Sequence, residues 1–147
     1  MSWSSGASRA RTWALRTMGA IWGLPQTLVG GAMAAALALG GAPRRGYRLA
    51  CVTSWRMRAG LSLGLFVFVP RGADSRLVVH EYGHTVESMI LGPLYLPLVV
   101  VPSLIWAGLP ACERLRRRRR ISYYDMPVER WANILGSRVT GERSMGS

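Results

Sequence analysis

The chain has 147 residues, half of them apolar, and a net charge of +12 carried by nineteen arginines and no lysine. That length holds one domain, and the missing lysine excludes a lysine general base, a Schiff-base lysine and a Ser–Lys dyad. Two cysteines, Cys51 and Cys112, are too few for a disulfide framework.

Residues 1–18 carry Arg9, Arg11 and Arg16 among Ser and Gly and read as a polar, poorly ordered lead-in. Residues 19–42 then run without a charge, more than the ~20 needed for a helix to cross a bilayer. A retained transmembrane helix is the expectation, with Gly30, Gly31, Ala34 and Ala35 allowing another helix close. The competing reading is a cleaved secretory signal, with Ala36 and Ala38 as its A-x-A site. Residues 46–70 read as a β-hairpin, "YRLACVT" against the Phe- and Val-rich "LSLGLFVFVP". A helix follows over 75–91, capped by Asp74 or Ser75 and stopped at Gly92-Pro93. Residues 92–111 are apolar and punctuated by Pro97 and Pro102. The Arg run 116–120 follows. A last helix spans 123–136, with Asp125 as cap, Pro127 in its first turn and Gly136 as its stop; residues 137–147 look frayed.

His80-Glu81-x-x-His84 sits on the 75–91 helix. At 100° per residue the two imidazoles stand one turn apart and reach a single ion, while Glu81 on the adjoining face can hold a water. Glu81, Glu87 and Ser88 share the His side; Val78, Tyr82, Val86 and Met89 lie opposite, for packing. Shuffling this composition produces the pattern on the order of once in two thousand tries, so spending both histidines here is a signal for Zn²⁺.

Zinc at a catalytic site takes three protein ligands and leaves one position open. With no histidine left, the third donor comes from Glu113, Asp125, Glu129 or Glu142. Glu113 opens an arginine run that pairs with it and Glu142 lies in the tail. Glu129 has Asn133 one turn later, where an amide can orient a ligand by hydrogen bonding. The metal set is therefore His80, His84 and Glu129, with Asn133 in support and Glu81 as general base; a surface ion pair is the competing role for Glu129.

"HEYGH" with "ERWAN" downstream resembles the gluzincin pattern, HExxH followed by a Glu ligand in an E-x-x-A-D type sequence. The longer "HEYGHTVESMILGPLYL" resembles small bacterial membrane proteins and, distantly, membrane endopeptidases of the CAAX-prenyl-protease type. The resemblance covers only these two motifs, and Asn133 stands where that pattern has Asp. It implies a zinc metallopeptidase acting on a peptide or membrane-protein substrate.

Joining the two motifs at one ion requires 92–111 to re-enter rather than span, since a straight span would part them by ~30 Å. With that hairpin, sixteen arginines fall on one face against three on the other, which by the positive-inside rule puts the active site on the cytoplasmic side of a bacterial inner membrane. Arg116, Arg117, Arg118, Arg119 and Arg120 then meet anionic headgroups, and no nucleic acid is expected. The fold class expected is a mainly α membrane protein with one transmembrane helix, a short β-hairpin, a metal-binding helix, a Pro-broken re-entrant or transmembrane hairpin segment over 92–111 and a C-terminal helix. So small a chain is expected to self-associate or bind a partner protein. The alternative function is a non-catalytic membrane protein with a structural or vestigial metal site, which would recruit a carboxylate such as Asp125. "GLSLG" at 60–64, with Asp74 and His80 after it, also matches a serine-hydrolase elbow. Its Ser precedes a strand rather than a helix, so Ser62 reads as a strand residue.

Overall fold

The computed structural model describes residues 3–146, with side chains described from Ser8 onward. Helix α1 (Trp3–Trp22) replaces the expected disordered lead-in. Arg16 pins it, donating from Nε to the Leu49 carbonyl and from Nη2 to the Arg48 carbonyl, each at 3.2 Å. The single helix expected over 19–42 is likewise two elements. Helix α2 (Leu24–Leu39) starts after Gly23 with Pro25 in its first turn, and the chain bends there by 105°. Pro favours a helix start because it has no N–H to leave unpaired.

Four strands follow: β1 (Arg44–Tyr47), β2 (Ala50–Trp55), β3 (Leu61–Leu63) and β4 (Phe66–Pro70), in sheet order β1-β2-β4-β3. The expected antiparallel pairing of 47–53 with 61–69 does not occur. β2 and β4 are parallel, Val52 opposite Val67, and the antiparallel partner of β4 is β3, Leu63 opposite Phe66. The tight β3–β4 turn fills one edge of β4, and β2 pairs on the other.

Alternation along these strands gives the sheet two buried faces. Ala50, Val52, Val67 and Val69 pack on Val78 and Tyr82 of helix α3 (Ser75–Leu91). Trp55, Leu63 and Phe68 pack on Ala34 of α2. Ser62 is opposite Val67 and so points toward α3 with the first set.

α3 ends at Gly92, as the sequence predicts. A 3-10 turn (Gly92–Leu94), a π turn (Leu96–Val100) and α4 (Val101–Gly108) form an arm whose part from Leu96 on is bent by 118° from Ser75–Leu94. Helix α5 (Pro110–Arg119) doubles back: Arg116 donates to the Trp106 carbonyl and lies 5.1 Å over the Trp106 ring. A 3-10 turn (Tyr123–Asp125) leads into α6 (Pro127–Thr140), which outruns its expected end at Gly136. The stop is Gly141, left-handed at φ 75° and so suited to glycine. Gly136 serves packing instead: a Cβ there would run into the Val79 carbonyl, and one on Gly83 into the Ala132 carbonyl. The two glycines let α3 and α6 touch backbone to backbone. Among the described residues no single helix is long and apolar enough to cross a membrane; two bent pairs reach that length and apolarity together, 8–39 and 75–108.

Candidate metal centre

The α3–α6 seam is polar where helix seams are usually apolar. His80, Glu81, His84 and Glu87 on α3 and Glu129 on α6 are all buried. Glu129, Ala132, Gly136 and Thr140 form the buried stripe of α6, so the glycine contacts that bring the helices together also drive Glu129 into the histidines.

Nε2 of His80 lies 3.1 Å, and Nε2 of His84 3.3 Å, from the same oxygen, Oε2 of Glu129. Donor atoms of these three residues all fall within 4.8 Å of one another, a group that could hold a metal ion. The far side of each ring is also engaged. His80 Nδ1 is 2.9 Å from Asn133 Oδ1, and His84 Nδ1 is 2.7 Å from Glu87 Oε2. Both partners are acceptors, so each Nδ1 carries a hydrogen and each Nε2 is the nitrogen left for a ligand. Asn133 Oδ1 is itself fixed by Ser144 Oγ at 2.6 Å. The free oxygen of the third donor, Glu129 Oε1, accepts from Ser103 Oγ at 2.5 Å and Tyr123 OH at 2.9 Å.

Carboxyl side chains outnumber imidazoles in this buried group. Three buried carboxylates, Glu81, Glu87 and Glu129, face two imidazoles, and Glu87 Oε1 has no hydrogen-bond partner. Buried charge costs several kcal/mol per ion unless compensated. Burial works to raise the Glu129 pKa, yet the bonds from His80 and His84 outweigh it and hold this carboxyl well below the usual range. For His84 burial works downward, but Glu129 and Glu87 raise it to about 10.

Glu81 lies beside this group. Ser62 Oγ is within bonding reach of both its carboxylate Oε2 (2.7 Å) and its main-chain oxygen (2.8 Å). A Cβ on Gly60 would strike Glu81 Oε1. A cavity of about 330 Å³ opens over Glu81 and the donor trio, walled by β3, the arm, Tyr123 and Tyr124. Ser62 thus bonds a carboxylate rather than a histidine, and Asp74 caps α3 through Arg76 N. The serine-hydrolase elements are not assembled.

The other carboxylates weighed as third donor are occupied elsewhere. Glu113 pairs with Arg117 at 2.7 Å, Asp125 closes a capping box with Ser122, and Glu142 meets Arg48 at 3.4 Å. Arg116 turns inward to line the cavity, while Arg117 to Arg120 stay exposed. Glu87, Ser62, Ser103, Tyr123 and Ser144 lay outside the expected set. Glu87 had a local signal, an i,i+3 partner on the His84 face. Ser62 and Ser103 had none, being 19 and 26 positions from the carboxylates they bond. Comparison with protein-family models, curated proteins and solved structures finds no match to this chain.

Proposed function

We propose that this chain is a zinc-dependent metalloendopeptidase, with His80, His84 and Glu129 as the metal ligands and Glu81 as the general base. One observation carries the reading: both imidazoles have Nδ1 fixed by an acceptor and Nε2 turned to one Glu129 oxygen, inside a buried group with three carboxyl side chains. Two imidazoles and one carboxylate match the donor set of hydrolytic zinc sites that keep a position open.

Bound Zn²⁺ would bring the pKa of a water toward ~7 and polarise a scissile carbonyl. The chain supplies the rest. Ser62 holds Oε2 of Glu81, whose side chain lines the cavity, where its carboxylate would take the water's proton and return it to the leaving amine. Tyr123, its pKa pushed up by burial and by the neighbouring Glu129 charge, keeps its proton and steadies Glu129 Oε1. Asn133 and Glu87 hold the rings so that neither turns its Nε2 away.

A closed structural site, the other reading, needs a fourth protein ligand. Among the described residues the donor group has three members, and Asp125 is spent on its capping box. The deciding experiment is Glu81→Gln assayed on unstructured protein substrates. Hydrolysis should fall ~10²–10⁴-fold with zinc still near one per chain. Undiminished hydrolysis by Glu81→Gln refutes the mechanism.

A further inference from the structure

Two stretches expose large apolar side chains, and they adjoin. On the bend into α2 these are Trp22, Leu24 and Leu28 (63% exposed); on the arm they include Leu94, Leu98 (52%) and Ile105. Gln26 of α2 donates to Ser88 Oγ at 3.0 Å and to the Gly92 carbonyl at 2.8 Å. The Trp22 indole lies against Gly92. Leu96 and Val100 pack into the same cluster as Ala34. The outer sides of α2 and of the arm therefore adjoin as one apolar surface, and contiguous exposed apolar patches mark interaction sites.

We propose that this surface docks into one leaflet of a bilayer without crossing it, leaving both flanks of α2 on the same side. Length and shape carry the claim. α2 has 16 residues, a rise of about 24 Å against a hydrocarbon core of ~30 Å. The bends of 105° and 118° redirect the chain by more than a right angle within each bent pair, a geometry open to a broken span or a re-entrant segment, of which the second is proposed. Irregular backbone inside lipid must be shielded by protein, and Gln26, fully buried, closes the Gly92 carbonyl at the second bend.

Charge selects lipid over a second copy of the chain. α5 follows the arm directly, and its Arg114, Arg118, Arg119 and Arg120 are exposed while its one acid, Glu113, is paired with Arg117. Anionic headgroups at the leaflet surface complement this row. A second copy would set arginine against arginine, each chain at +12.

The test uses the full chain with Cys51 and Cys112 changed to Ser, mixed with phosphatidylcholine vesicles with and without phosphatidylglycerol. The protein should sediment with both and more strongly with the anionic ones. Leu28→Asp with Leu98→Asp, both at exposed positions, should lower partitioning at least tenfold while circular dichroism is unchanged. Reversing Arg118, Arg119 and Arg120 to Glu should remove only the phosphatidylglycerol preference. Single cysteines at Arg11 and Arg45, which flank α2, should react with an impermeant maleimide from the same side of cell membranes carrying the protein. Labelling from opposite sides overturns the proposal in favour of a span. Vesicle binding untouched by the two aspartates overturns it as well, as does a dimer in lipid-free buffer that the aspartates dissolve without changing vesicle binding. None of these readouts depends on zinc or hydrolysis.

Discussion

The α3–α6 seam and the surface formed by α2 and the arm invert the usual rule in opposite senses. The seam buries His80, Glu81, His84, Glu87 and Glu129, whereas the arm exposes Leu94, Leu98, Val101, Leu104 and Ile105. Burying charge and hydrating apolar surface both cost free energy, and each region carries one of these costs. On the two readings proposed above, a cation would offset the first cost and a lipid leaflet the second. Chemistry separates the two needs even though Ser103 on α4 touches both regions, bonding Glu129 from the cavity wall.

The largest effect on this contrast should come from closing the glycine contact. Gly83→Ala places a methyl against the Ala132 carbonyl and pushes α6, with Glu129, off α3. A loss of about 1–3 kcal/mol in stability together with loss of bound zinc is expected, read by chemical denaturation and elemental analysis. Zinc retained at full stoichiometry would show that Glu129 does not reach the ion through this seam. Next in size is Asn133→Ala, which frees the His80 ring without touching a ligand. Zinc affinity should fall ~10–100-fold in competition with a chromophoric chelator, and vesicle binding should not move.

The smallest effect is a pH slope. His84 in the metal-free protein is raised from 6.5 to about 10, so it contributes stability that is complete below pH 6.5 and lost as pH rises toward 10. Glu129 is depressed from 4.5, and its contribution is complete above pH 4.5 and lost in acid. Zinc must displace the His84 proton. The rise in Tm on adding zinc should therefore grow between pH 6.5 and 9, where the metal-free protein weakens and proton competition fades. A rise in Tm that is flat across that range would mean the proton and the metal do not share a site.

The α3 helix was legible because HEYGH and the opposed Val78–Tyr82–Val86 face both follow the 3.6 period, and the structure puts Val78 and Tyr82 on the sheet as that pattern requires. Glu129 was reachable by elimination among few carboxylates. Gly136 was misread because a glycine near a helix end signals either a stop or a close contact, and only the Val79 carbonyl across the seam decides which. The parallel β2–β4 pairing was hidden for a similar reason. Two nearby strand-like runs look like a hairpin until the three-residue β3 claims one edge of β4. Arg16, from a segment read as disordered, ties α1 to backbone carbonyls 32 and 33 positions away, and no local pattern announces such a bond.

The most direct test of the central claim is zinc X-ray absorption on the purified protein after reconstitution, alongside Glu129→Gln. The expected result is one zinc per chain with two imidazoles and oxygen donors, and a metal content that collapses in Glu129→Gln. A wild-type chain that takes up no zinc, or a zinc shell unchanged when Glu129 is replaced, would contradict it.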